Sequence, residues 1–333
     1  MQTRQILLAK RPSGLPDSSN FRTEEVIVPS LKDGEVQLKG LYYSVDPYMR
    51  GRMNEGESYV PPFEVGAPIT GGVVAEVVES KDAALQAGDI VLGAQLPWST
   101  TIVVAGKAVR KVDTSAIPAT AYLNVLGMTA VTAYIGLIDI GKVKEGETVV
   151  VSGAAGAVGT VVGQLAKIRG CRVVGIAGTD EKAALLQREF GYDAVINYKT
   201  ATDLSAAIGA ACPKGVDVYF DNVGGEVTDA VFPHLNFHAR VPLCGQIASY
   251  NEQEVERGPR FLPYVLTRSI MLQGFVVVNY RERYTEVLQE LVKLVKAGQL
   301  HGKETIVEGF DQLPEAFLGL FSGKNTGKML VKA

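Results

Sequence analysis

The sequence predicts an α/β protein of two domains, a small irregular β-barrel and a doubly wound parallel sheet. Three observations carry that expectation. Up to about residue 120 the chain consists of short alternating segments punctuated by Gly and Pro, the pattern of a small barrel. From about Gly127 onward, apolar β-branched runs alternate with amphipathic stretches, the pattern of βαβ units on a parallel sheet. Between them, one junction reads strand, glycine turn, helix in the required order.

The barrel segments include 35–39, 72–78 and 89–92. The second domain's strands are expected at 148–152, 172–177, 194–197, 216–220, 240–244 and 271–278. A helix is expected at 284–297, with Val287, Leu288, Leu291, Leu294 and Val295 on one face. The tail 326–332 reads as a strand that returns to the barrel. The expected division is therefore 1–126 completed by 306–333, and 127–305. With no low-complexity linker, the two domains are expected to pack on each other around a cleft.

At 333 residues, 47% hydrophobic and 21% charged, the chain can bury two cores. Thirty-three Lys+Arg balance 36 Asp+Glu for a net charge of -3. No long run of one sign marks a nucleic-acid or anionic-membrane surface, so the expected partner is a small molecule. No apolar stretch approaches the ~20 residues of a membrane span. The start runs into Ile6-Leu7-Leu8-Ala9 without a signal-peptide core, and a cytoplasmic location is expected. Cys171, Cys212 and Cys244 are unclustered, which suits reduced, mostly structural thiols.

The glycine turn runs from Gly153 to Gly159, after the apolar run 148–152 and before Val158, Val161, Val162, Leu165 and Ile168 at helical spacing. In such a turn Gly156 lets a pyrophosphate approach the backbone and Gly159 lets the helix approach the sheet. The helix N-terminus then offers free N–H groups and the positive end of its dipole. Ala154 replaces the first glycine of the usual pattern, and the alternative is a tight turn without a ligand. The tip of the second strand reads Gly175-Ile176-Ala177-Gly178. It lacks the carboxylate that an NAD site places there, and Lys182 on the next helix turn is a candidate for a 2'-phosphate. NADPH/NADP+ is therefore the expected cofactor, although Asp180 stands close by and a solvated helix lysine is the alternative for Lys182.

Absences narrow the chemistry. No Cys precedes Cys171 and no His precedes His234, so the barrel offers none of the ligands of a zinc alcohol dehydrogenase and no metal is expected. His234 and His238 are spaced i, i+4 and read as a helix-end pair without a third ligand. No G-x-S-x-G elbow occurs, and Gly323 to Lys328 fails the phosphate-loop spacing, with Met329 following Lys328. Hydride transfer is what remains.

Several segments together resemble one family: the zinc-independent medium-chain dehydrogenase/reductases of the leukotriene B4 dehydrogenase, prostaglandin reductase and NADPH-dependent curcumin (2-alkenal) reductase type. They are Ser44-Val45-Asp46-Pro47-Tyr48-Met49-Arg50, Gly127-Met128 with Thr132-Ala133-Tyr134, the stretch 151–159, Asn197-Tyr198-Lys199-Thr200, Phe220-Asp221-Asn222-Val223-Gly224-Gly225, Cys244-Gly245, and Gly323-Lys324-Asn325-Thr326-Gly327-Lys328. The likeness runs nearly end to end. Gly153 stands where the family often has Ala, and Thr129-Ala130-Val131 replaces the usual Pro-Gly-Leu.

The resemblance implies a GroES-like barrel beside a Rossmann-type NADPH domain. It implies that Gly156, Ala157, Val158 and Gly159 cradle the pyrophosphate, that Lys182 and Tyr198 meet the 2'-phosphate, and that Gly178 at the strand tip also lies in the cofactor site. Asn222 would bind within the cleft, its alternative being a turn cap. Cys244, Gly245, Ile247, Tyr250, Phe275, Val276 and Asn325 would close around the nicotinamide half, with Met128 and Thr132 where the domains meet. The implied reaction is reduction of the C=C bond of an α,β-unsaturated ketone or aldehyde, hydride passing from NADPH to the β-carbon while charge gathers on the carbonyl oxygen.

That charge calls for a donor. The candidates are the nicotinamide ribose 2'-hydroxyl, held by Tyr250, and the phenol of Tyr48 in the barrel, which stays protonated at neutral pH, so Tyr250 and Tyr48 are the catalytic residues expected; a packed barrel tyrosine is the alternative for Tyr48. Arg50 is left outside the site. Tyr42, Tyr43, Tyr264 and Tyr280 are candidates for an aromatic substrate cavity, with plain core as the alternative. The polar stretch 251–260 reads as a mobile loop over the cleft. Residues 275–279 are candidates for pairing across a two-fold axis, so a homodimer is expected on resemblance. Two rival functions share these features: a quinone oxidoreductase, and a non-catalytic NADPH-binding sensor.

Overall fold

The computed structural model describes residues 1–56, 58–254 and 257–333. The chain divides into two compact units, Asn124–Lys303 and a discontinuous one made of Met1–Leu123 with Glu304–Ala333. The stretch expected to form a loop over a cleft includes Val255 and Glu256, which lie outside the described residues.

The first of these units is built on a six-stranded sheet. Its strands are β1 (Thr148–Val151), β2 (Arg172–Ala177), β3 (Ala194–Asn197), β4 (Val216–Phe220), β5 (Leu235–Leu243) and β6 (Met271–Gly274). The order is β3-β2-β1-β4-β5-β6, and every pairing is parallel. Parallel strands covered by helices on both faces read as continuous apolar runs rather than alternating ones, and Val149, Val150 and Val151 are accordingly inaccessible to solvent. The chain runs outward from β1 to β3, then crosses back to start again at β4. Loops after β1 and β4 therefore diverge, leaving the switch point where open α/β sheets bind ligands. Helices α1 (Met128–Tyr134), α2 (Ala157–Ile168), α3 (Asp180–Phe190) and α4 (Tyr284–Lys296) belong to this unit. Gly159 through Ala166 of α2 are all buried, as befits a helix wedged against the sheet.

Two expectations fail here. The strand expected at 271–278 ends at Gly274, and Val277–Arg283 forms 3-10 turns. The three successive valines favour a strand, but Asn279 N–H closes a turn on the Val276 carbonyl at 3.0 Å. Phe275 turns its ring edge-on to Phe220 and Tyr280, both at 6.4 Å; packing overrides β-propensity. Of the His234 and His238 pair, only His234 ends a helical turn. His234 ends the 3-10 turn Phe232–His234 and bonds Ser205 Oγ at 2.9 Å, while His238 lies inside β5 with φ +60°. β5 itself begins at Leu235, five positions before the expected start.

The discontinuous unit holds a seven-stranded mixed sheet. Lys328–Lys332 lies in it, parallel to Glu304–Glu308 and antiparallel to Glu35–Ser44, so the tail is an interior strand. Beyond Glu35–Ser44 the sheet continues through Thr70–Ser80, Ile90–Pro97 and Arg110–Lys111. Its core gathers Tyr43, Met49, Met53, Trp98, Phe310 and Phe317. Tyr43 is core and not a cavity wall: it is fully buried, donates its hydroxyl to Ser99 O at 2.6 Å and meets Phe310 edge-on at 5.5 Å.

Candidate cofactor and active site

At the switch point β1 runs through Ser152 into the glycine turn, and α2 starts from Gly156 with no side-chain cap. The first N–H groups of a helix have no intrahelical partner, so those of Ala157, Val158 and Gly159 find none within α2. A Cβ on Gly159 would lie 2.5 Å from Gly153 O and 2.6 Å from Ala154 O. Those are backbone atoms of the turn itself, so the helix can start this close only with glycine at 159. Nothing in the turn requires a glycine at Ala154, which explains how the motif dispenses with it.

A second cluster lies at the ends of β2 and β3. The Tyr198 ring and the Lys199 side chain close over Gly178, 3.1 and 3.4 Å from where a Cβ would stand. Thr179 caps α3 by accepting from Lys182 N at 3.2 Å. Burial first, and then the like charge of Lys199, hold the Lys182 ammonium below the usual lysine range, so two cations share this corner. Of the two acids that precede Lys182, Asp180 is engaged through Oδ1 by Asn197 Nδ2 at 2.7 Å, and Glu181 is exposed on the first turn of α3. Lys199 escaped sequence reasoning. It stands inside the Asn197-Tyr198-Lys199 signature, yet only the fold brings it beside Lys182.

A third cluster is knit around Asp221, at the tip of β4. Asn222 Nδ2 donates to Ser152 O at 2.8 Å and Asn222 N–H to Ser152 Oγ at 2.9 Å, so this asparagine pins the glycine turn to the β4 loop. The loop after β5 carries Cys244 and Gly245, then the turn Ile247–Ser249, then Tyr250. Gln246 N–H donates to Tyr250 Oη at 3.3 Å. Burial raises the Tyr250 phenol above its ordinary value, keeping it a donor at neutral pH. Burial, reinforced by the Asp221 carboxylate, pushes the Cys244 thiol up to about 12. Sequence reasoning missed Asp221, whose donors come from five separate stretches of chain.

The fold thus joins the glycine turn, Asn222 and the segment from Cys244 to Tyr250 through hydrogen bonds, and brings Phe275 onto Phe220. Val276 follows Phe275 in extended conformation. Met128 begins α1 and is 38% exposed, with Thr132 Oγ1 bonded back to its carbonyl at 2.8 Å, and α1 packs against α2, the helix that leaves the glycine turn. Tyr48 and Asn325 belong to the other unit. There Tyr48 precedes the short helix Met49–Arg52 and packs against the barrel core. Burial first, then the Asp46 carboxylate, pushes its phenol up to about 12. Gln95 donates to its oxygen at 3.5 Å, and Arg52 donates to Gln95 Oε1 at 2.7 Å. Asn325 Nδ2 donates to Gly327 O at 2.9 Å. Arg50 is buried and bonds Asn54 Oδ1 and the Gly14 carbonyl, so it serves the barrel's own structure. Tyr264 is exposed beneath Arg268 at 5.3 Å, and Tyr42 packs beside Val74, Leu123 and Leu330.

These features fit a phosphorylated dinucleotide: a helix start whose close approach demands glycine, and a lysine pair at the strand tips, with Asp180 bonded to Asn197. Comparison with known proteins agrees. Residues 4–112 match a family model described as the N-terminal domain of oxidoreductase, and residues 157–293 one described as zinc-binding dehydrogenase. A putative NADP-dependent oxidoreductase, YfmJ, of Bacillus subtilis is 56% identical, covering 98% of this chain and 97% of its own. The NADPH-dependent curcumin reductase of Escherichia coli is 44% identical, covering 99% and 97%. The crystal structure of CurA in complex with NADPH from Vibrio vulnificus superposes with TM-score 0.94 at 40% identity, covering 99% of each chain.

Proposed function

The chain belongs to the zinc-independent medium-chain dehydrogenase/reductases, and from that membership we propose that it is an NADPH-dependent reductase of the C=C bond in α,β-unsaturated ketones and aldehydes. The observation that carries the reading is the full-length identity with the curcumin reductase, joined to a lysine corner suited to the 2'-phosphate.

Ala157, Val158 and Gly159 would hold the pyrophosphate through their N–H groups, and Lys182, Tyr198 and Lys199 the 2'-phosphate. Asn222, Cys244, Gly245, Ile247, Phe275 and Val276 would line the nicotinamide half, with Met128, Thr132 and Asn325 at its margins. The bound cofactor supplies hydride for the β-carbon of the enone. The chain's own task is then to meet the charge that develops on the carbonyl oxygen, and a hydrogen-bond donor preset for that position stabilises it without reorganisation. Tyr250 is the donor we assign first. Tyr48 is the barrel's candidate, its phenol likewise kept protonated.

We further read the protein as a cytoplasmic homodimer. Among the described residues no helix is long and apolar enough to cross a membrane. β6 is the sheet's edge strand, and Leu272 on it is 43% exposed. Light scattering during gel filtration tests the dimer.

The decisive assay mixes purified protein with NADPH and a panel of 2-alkenals, enones and quinones, following absorbance and identifying products. Saturated carbonyl products are expected. Tight NADPH binding without turnover would replace the reading with a sensor, and turnover of quinones alone with a quinone oxidoreductase.

A further inference from the structure

Asp221 is fully buried, and six groups donate to its carboxylate. Ser152 Oγ, Tyr219 Oη and the N–H groups of Val223 and Gly224 meet Oδ1, while Thr228 Oγ1 and Gln246 Nε2 meet Oδ2, all at 2.7–3.0 Å. Its carbonyl accepts from the N–H groups of Cys244 and Gly245 at 2.8 and 3.1 Å. A buried carboxylate is costly unless hydrogen bonds replace the lost water. Here the replacement donors come from Ser152 ahead of the glycine turn, from β4 itself, from the loop after it, from the helix that follows and from the β5 loop, so the carboxylate fixes these segments to one another.

Gln246 links that anchor to Tyr250. Its side-chain amide donates to Asp221, and its backbone N–H donates to the Tyr250 oxygen. The amide occupies the space where a Cβ on Gly224 would stand, 2.1 Å from Gln246 Oε1. Gly224 has φ +76° and ψ -159°, a conformation essentially confined to glycine. The glycine thus makes room for the glutamine. Because a backbone N–H can only donate, Tyr250 Oη is the acceptor in this bond, and the phenol keeps its own hydrogen for a different acceptor.

We propose that Asp221 and Gln246 are positioning residues for Tyr250: the carboxylate orients the glutamine, the glutamine N–H holds the phenol oxygen, and the phenol O–H is left to donate to the reacting side. The inference rests on the reductase reading, in which Tyr250 is the donor.

A double-mutant cycle tests it, with Gln246→Met, Tyr250→Phe and the double variant assayed with NADPH and an enone. Gln246→Met is expected to lower kcat about tenfold to a hundredfold, the cost of a donor misplaced by about 1 Å, with KM for NADPH nearly unchanged. In the Tyr250→Phe background the same substitution is expected to change nothing further, because interacting residues are not additive. Additive losses, or an unchanged kcat in either single variant, would overturn the proposal. Amide hydrogen exchange supplies a readout independent of turnover. Gln246→Met and Gly224→Ala are both expected to speed exchange across 244–250 while leaving 153–159 as in the wild type; unchanged exchange in 244–250 overturns the proposal. Should the wild type reduce no enone, the reductase reading fails separately, and the exchange measurement alone judges the anchor.

Discussion

Lys328→Met removes one half of a buried ion pair. The ammonium lies 2.7 Å from Asp46 Oδ1 and 2.9 Å from Val45 O, and the two side chains are 2% and 7% exposed. Methionine nearly preserves the volume, so the change isolates the charge. It removes the ammonium from the Asp46 carboxylate, which keeps the Ser44 hydroxyl, and leaves the Val45 carbonyl without this donor. Breaking a buried pair from one side costs about 3–5 kcal/mol. With a urea m-value of about 1.5–2 kcal/mol/M, a loss of about 4 kcal/mol moves the barrel's unfolding midpoint down by about 2–3 M. The chain has a single tryptophan, Trp98, and it is buried in the barrel core, so its fluorescence reports this unit. The double variant Asp46→Asn with Lys328→Met removes both charges and is expected to recover most of the loss, because a buried pair contributes little net stability over neutral groups. A Lys328→Met midpoint within about 0.5 M of wild type, given the same m-value range, would refute the assignment of this pair as the bond that ties the tail strand into the barrel.

Lys182→Glu is expected to weaken NADPH at least tenfold more than NADH, since a lost charge-assisted hydrogen bond is worth about 1.5–3 kcal/mol; equal losses in calorimetric titrations would remove the lysine from the 2'-phosphate. Gly159→Ala forces a Cβ to within 2.5 Å of a backbone oxygen and is expected to cost about 1–3 kcal/mol of stability together with NADPH affinity, and wild-type binding by this variant would contradict the close approach. Cys244, with its thiol pushed up to about 12, is protonated throughout the physiological range. At pH 8 its thiolate fraction is about a thousandfold below that of a thiol near 9, so mass spectrometry should find it unmodified after iodoacetamide treatment that labels a free peptide thiol. Rapid stoichiometric labelling would show that the thiol titrates normally.

Local chemistry was legible in the sequence wherever it also decided the structure. β2, β3 and β4 fall where the apolar runs 172–177, 194–197 and 216–220 placed them, because short apolar, β-branched runs bounded by breaks mark strands of a parallel sheet. The helix expected at 284–297 ends one residue earlier, at Lys296. Legibility failed where distant groups decide the outcome. The valines after Phe275 carry a strand's signature, yet the ring of Phe275 finds Phe220, more than fifty residues back, and the chain turns. Asp221 sits in a motif that was read for its asparagine, and nothing local announces that Ser152, Thr228 and Gln246 converge on its carboxylate. Lys199 likewise acquires meaning only beside Lys182.

The Asp46–Lys328 pair spans 282 residues of sequence, and this has a consequence for synthesis. At about 5–20 residues per second, the ribosome finishes the partner of Asp46 roughly 15 to 55 s after Asp46 itself. Throughout that interval the strand Glu35–Ser44 lacks its neighbour Lys328–Lys332, and the aspartate that will be buried must stay in water. The parallel-sheet unit, contiguous from Asn124 to Lys303, is complete before the barrel can close. Order of completion and sequence order are thus reversed in this chain: the part begun first is the part that matures last.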